Sequence, residues 1–248
     1  MSDQPLPHCI DRVVDEKFQA AAAAAHAREH EGGTPFELAL VGKKMWKPGR
    51  TLRVSFLDGD PQVQKRVEEY AMQWTKHANI KLAFVPAAPS EIRISFKQRG
   101  YWSALGTDAL VKEYFPLAEP TMNFEGFTMA TREAEYSRVV LHEFGHALGC
   151  IHEHQSPAGG IQWNKDAVYR SLGGPPNNWD KAQVDHNVLS RYGKEQTQFT
   201  AFDPKSIMLY SFPKEWTLNN MEFTTNSALS DTDKSYIAAS YPKAKSPA

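Results

Sequence analysis

Cysteine is scarce here. Cys9 and Cys150 are the only two in 248 residues, which excludes a disulfide-stapled scaffold and leaves stability to a packed core. One bridge between them and two separate thiols are both compatible with the sequence. No apolar run is long enough to cross a bilayer. Neither charge sign is in excess: 28 Lys and Arg stand against 29 Asp and Glu. That balance argues against nucleic acid or a membrane surface as a partner, since both favour a strong basic surplus. The opening stretch, MSDQPLPHCIDRVVDEK, has no apolar segment behind a basic start and does not read as a secretory signal. Internal repeats are also absent. What remains is ordinary globular composition, long enough for one large domain or two small lobes.

Residues 1–35 differ from the rest. An alanine run, Ala20 to Ala25, sits inside an expected helix from Asp11 to His30. Glu31-Gly32-Gly33-Thr34-Pro35 breaks it. This segment reads as an N-terminal extension, placed like a pro-segment, ahead of a domain over 36–248. Within that domain, Thr51 to Leu57 alternates as a strand. Asp60 caps a helix with Pro61 at its first position, and Val63, Val67, Tyr70 and Trp74 recur at helical spacing. Ile80 to Val85 and Ile92 to Phe96 are further strands, and 99–120 reads as loop. Thr121 to Phe124 is expected as a strand at a sheet edge, where an extended substrate can pair with it. Thr131 is the expected N-cap of a helix to about Leu148, with Val140, Phe144 and Leu148 as its apolar stripe. Beyond residue 155 glycine and proline punctuate an irregular half, with helices expected over Lys181 to Tyr192 and from Ser230 onward. The fold class is α+β: an upper lobe of about 36–149, a long central helix and an irregular lower lobe of about 150–248.

The chemistry lies at residues 142–152, HEFGHALGCIH. His142 and His146, four apart, share one helix face. Catalytic zinc usually has three protein ligands and an open position. His152 is the proposed third ligand, but it cannot come from the same helix face. Gly149 resolves this, because a glycine at a helix end adopts the left-handed conformation and turns the chain back. Glu143 then lies beside one catalytic Zn2+ without binding it, positioned as general base on a zinc-bound water. The whole pattern, HExxHxxGxxH, is far more specific than HExxH alone and is the metzincin signature when a Met-turn follows.

A matching segment does follow: Ser206-Ile207-Met208-Leu209-Tyr210. With His152-Glu153, it makes the chain resemble the astacin-like metzincins, in a microbial-type branch. The resemblance implies a zincin-like fold: a small twisted mixed sheet, two long helices above it, and an irregular lower subdomain with a C-terminal helix. It implies Met208 as a hydrophobic base beneath the metal. Tyr210 is implied as a fifth zinc ligand at rest that swings to support the tetrahedral intermediate. It also implies zinc-dependent cleavage of internal bonds in protein or peptide substrates, and secretion. Glu153 is implied to meet a new N-terminus, near residues 34–40 by spacing. The family's aspartate-containing inhibitory motif is not found in residues 1–35, and two cysteines cannot form the disulfides of animal members.

Cys9 lies in the extension, and a thiolate is a strong zinc ligand. Cys9 is therefore a candidate latency ligand, against the plainer reading of a packed thiol. His26 and His30 also stand four apart, but with no glutamate or third ligand they read as a solvated helix face. His77, His154 and His186 read as ordinary histidines, and Cys150 as packing. Trp163, Trp179 and Trp216 are read as core of the lower lobe before pocket lining. A zinc-containing protein-binding module without catalysis is the alternative function, and the intact Glu143 argues against it. Nothing in the sequence sets the oligomeric state, with a monomer as the default.

Overall fold

The structure, a computed structural model of the chain, describes residues 9–10, 12, 14–33, 44–87, 89–191 and 201–243. The expected new N-terminus near 34–40 lies outside them.

Five strands form one sheet: β1 (Thr51–Phe56), β2 (Lys81–Phe84), β3 (Ile92–Ser95), β4 (Tyr101–Ser103) and β5 (Met122–Phe124), in the order β2-β1-β3-β5-β4. All pairs are parallel except β4 with β5, where Trp102 lies opposite Asn123. This corrects the reading of Thr121 to Phe124 as an edge. β5 is interior, and the edge is β4, inside a stretch expected to be loop. Two long helices accompany the sheet, α2 (Pro61–Thr75) and α3 (Glu133–Ala147). Asp60 caps α2 as expected, its carboxylate accepting from the Gln62 amide. The Trp74 indole donates to Leu141 O at 2.9 Å, fixing α2 against α3. From Val139 to Leu148 every residue of α3 and its end is buried.

The α3 N-cap is Arg132 rather than Thr131. The Thr131 hydroxyl accepts instead from the Thr128 amide, closing the turn before the helix. Loop 105–120 is organised by Arg93, which is fully buried and donates to the carbonyls of Ser90, Phe115, Pro116 and Glu119. Four carbonyls around one guanidinium satisfy backbone that has no ladder of its own.

The lower lobe has its own core, including Val168, Leu172, Trp179, Val184, Phe212 and Trp216. Helix α4 (Lys165–Leu172), not expected from the sequence, supplies part of it. The helix expected over Lys181 to Tyr192 is only α5 (Lys181–Val184), followed by a wider turn over Asp185–Leu189. The C-terminal helix α6 (Asp231–Ser240) begins at Ser230 as expected, through a reciprocal capping box with Asp233.

Among its described residues, the extension packs one face against the domain, with Val14, Ala22, Ala25, His26 and His30 buried. Its helix α1 (Gln19–Glu29) is shorter than expected, because Cys9 bridges to Tyr101 of β4 and Arg12 to Ala104 just beyond it. His26 and His30 are buried, which corrects their reading as a solvated face. His26 Nε2 lies 3.0 Å from Asp108 Oδ1, and Lys44 donates to the other oxygen at 2.8 Å. His30 Nε2 donates to Met45 O at 2.7 Å. Alanines at 22 and 25 let the α1 backbone approach the domain closely.

Candidate active site

Helix α3 carries His142 and His146 on its buried face. It ends in a Schellman motif: the Gly149 amide bonds His146 O at 2.8 Å and the Cys150 amide bonds Gly145 O at 2.9 Å. Gly149 has φ +91°, the left-handed conformation expected of it. The chain then reverses, and His152 returns to the two helix histidines. Trp46 donates its indole N–H to Ala147 O and Tyr241 its hydroxyl to Leu148 O, both at 2.7 Å, so the last helix carbonyls are held from outside the helix.

The three Nε2 atoms form a near-equilateral triangle with sides of 3.1, 3.1 and 3.0 Å. Both helix histidines use Nδ1 elsewhere: His142 to Ile207 O and His146 to Cys150 O, each at 2.8 Å. A neutral imidazole that donates from Nδ1 presents a lone pair at Nε2. Burial, then the two neighbouring imidazoles, push His142 well below its ordinary pKa and keep it neutral. Lone pairs facing each other at 3.1 Å repel, and a shared cation turns that repulsion into ligation. One ion with Zn–N bonds of about 2.0–2.1 Å reaches all three nitrogens. Cys9 Sγ completes a buried group of four donors, all within 4.8 Å of one another and able to hold a metal ion. No disulfide joins Cys9 and Cys150. Burial pushes the Cys150 thiol far up, as packing without chemistry requires.

Cys9 also touches the groups around that triangle. Its thiol donates to Glu143 Oε2 at 3.3 Å, and its carbonyl accepts a short hydrogen bond from the Tyr210 hydroxyl. The Tyr210 ring meets His152 edge to face and His154 at a tilt, with centroids 4.4 and 4.3 Å away. A narrow cavity of about 20 Å³ beside Glu143 is lined by Arg138, Val139, Leu209 and Asn226 among others. Arg138 is tied there to Glu135 by two hydrogen bonds.

Met208 is buried beneath α3. A Cβ on Gly145 would stand 2.4 Å from Met208 Sδ, so the glycine is what admits the methionine. Gly145→Ala is accordingly expected to cost about 1–3 kcal/mol of stability by overpacking and to lower zinc affinity, read by thermal melts with and without added zinc. Unchanged melting in both would show that Met208 does not hold the helix there. The segment bearing Met208 is fixed by Asp233 of α6, which accepts from Ser206 Oγ at 2.7 Å and the Ile207 amide at 2.9 Å. Since Ile207 O in turn accepts from His142, Asp233 orients a histidine across one residue. Glu153 is fully buried, its Oε1 accepting from the Asp203 amide at 2.9 Å. Its Oε2 has no partner among the described residues, and burial raises its pKa to about 7.

The structure thus brings together every residue singled out in the two motifs, and Cys9 with them. Trp179 and Trp216 are lower-lobe core, whereas Trp163 is half-buried beside Phe212. His154 is buried against Tyr210, and His186 is exposed. Sequence reasoning missed β4, Trp102 and Asp233. For Asp233 the capping-box pattern was visible, but its reach to Ser206 was not.

The family described as matrixin matches residues 53–160. A structure of myroilysin superposes with TM-score 0.77 at 44% identity, covering 82% of this chain and 97% of that one. A second myroilysin structure matches with TM-score 0.63, also at 44% identity, over 81% and 86% of the two chains. The fold is shared with a hatching enzyme zinc-protease, HCE-1 of Oryzias latipes (medaka fish), at TM-score 0.55 and 16% identity over 81% of this chain and 95% of that one. No curated protein sequence matches.

Proposed function

The chain belongs to the metzincin zinc metallopeptidases, and on that premise we propose an endopeptidase that works through Glu143 and is held latent by Cys9. The observation that carries the first part is the triangle of three inward Nε2 atoms with the Glu143 carboxylate beside it. His142, His146 and His152 would hold the zinc, which when bound would polarise the scissile carbonyl and bring the pKa of water to about 7. Glu143 takes the proton of the attacking water and returns it to the leaving amine. The Tyr210 hydroxyl, once released from Cys9 O, supports the charge that develops on the carbonyl oxygen. Once Cys9, Ile10 and Arg12 leave the β4 edge, an extended protein substrate pairs with it, adding a strand.

Cys9 opposes all of this at once. Its thiol sits at the metal group and on Glu143, its carbonyl engages Tyr210, and its neighbour Ile10 donates to Tyr101 O at 2.9 Å on the β4 edge. Residues 1–35 then act as a pro-segment. The catalysis test uses zinc-loaded protein freed of the Cys9 thiol. Casein and peptide libraries are expected to be cleaved, cleavage to stop with a chelator, and to return with added zinc. Zinc binding without any cleavage would instead favour a protein-binding module.

A further inference from the structure

The extension covers a groove of about 430 Å³ between the β4 edge and the lower lobe, lined among others by Arg99, Trp102, Asp180, Gln183 and Asn187. Arg12 is seated in it, its guanidinium carbon 4.2 Å from the Trp102 ring centroid. Arg12 bridges to Ala104 and Cys9 to Tyr101, both parallel to β4. Cys9, Ile10 and Arg12 therefore lie along the edge, with Cys9 at the metal group and Arg12 three residues on. Extended chain rises about 3.3 Å per residue, so the Trp102 platform is about 10 Å from the reacting centre.

We propose that this groove is a substrate subsite for a cationic side chain, arginine before lysine, and that Arg12 fills it as a built-in analogue. The inference rests on the endopeptidase reading above. Three observations support it. Tryptophan is the aromatic most favourable to a cation over its face, and a planar guanidinium stacks better than an ammonium. Trp102 belongs to the core but lines the groove, and Arg12 stacks over its ring, so departure of Arg12 frees that face. Its indole N–H is buried with no acceptor among the described residues, which leaves a hydrogen bond for an incoming peptide to complete. Asp180, exposed on the opposite wall, supplies the negative charge; Arg99, which points its guanidinium at Asn177 O, does not occupy the ring. A neutral apolar side chain would leave both features unused.

The test uses three full-length, zinc-loaded variants: Cys9→Ala, Cys9→Ala with Arg12→Ala, and that pair with Trp102→Leu. Each receives one peptide series carrying Arg, Lys or Ala at successive positions, read by cleavage and by calorimetric binding. With Arg12 removed, arginine at one position two to four residues from the cleaved bond is expected to improve kcat/KM and affinity on the order of 10-fold over alanine. Lysine should fall between them. The preference should shrink when Arg12 is present, because it competes, and vanish with Trp102→Leu. Equal binding of Arg and Ala peptides by the double variant overturns the inference, whether or not the peptides are cut. Preferential binding of Arg peptides with no hydrolysis supports the subsite and overturns the endopeptidase reading alone.

Discussion

Glu143→Gln is expected to lower kcat on the order of 10³-fold while zinc content stays at one per chain. Glu143 is 1% exposed and lies in the middle of α3, so its backbone is fixed by the helix that carries His142 and His146. It is not one of the four donors that converge on the metal group. Glutamine keeps the shape and the hydrogen-bonding capacity of the side chain but cannot accept a proton. The loss therefore falls on the chemical step, in kcat with little change in KM. His142→Gln behaves differently, because it removes one corner of the triangle and zinc goes with it. Zinc quantified beside the rate separates the two. Glutamine at 143 with full activity would sink the general-base role.

The two motifs were legible because each is local. Helical period alone puts His142 and His146 together, and a glycine three residues later is enough to predict the reversal that delivers His152. The features that were misread depend on partners far along the chain. His26 and His30 are buried by Asp108 and Met45, and an alanine helix has no apolar stripe to announce which side is covered. β4 is three residues, Tyr101–Ser103, too short for alternation to show, so the edge was assigned to Thr121–Phe124. Helix α4 is different, since its signals were present: Asn164 caps it through the Ala167 amide, and Val168 and Leu172 are four apart. The Thr131 hydroxyl was a reasonable cap, but a turn at 128–131 took it first. Metal chemistry was thus readable from spacing, whereas the path of the extension over it was not.

Cys9→Ala is expected to convert the full-length chain from latent to active, by an order of magnitude or more on short peptides. The thiol lies with three imidazoles in one donor group, so it would close the metal's remaining position, and thiolate–zinc bonding is strong. What else holds Cys9, Ile10 and Arg12 is weaker: the Ile10–Tyr101 and Tyr210–Cys9 hydrogen bonds contribute about 1 kcal/mol net each, and the Arg12–Trp102 stack about 1–2 kcal/mol. Removing the thiol therefore lets this strand leave the cleft while α1 stays docked, through the Glu29–Arg50 ion pair at 2.6 Å and the His26–Asp108–Lys44 cluster. Activation should appear without loss of residues 1–35, with KM still above that of a chain from which they are cut away. Thiol labelling supplies an independent reading. In the zinc-loaded wild type neither thiol should react, because Cys150 is buried with its pKa far up. Chelation should make one thiol reactive, and in Cys9→Ala none. A latent Cys9→Ala chain that binds zinc normally, together with a wild type whose Cys9 labels equally with and without zinc, would show that the extension blocks the cleft by its backbone and not by its sulfur.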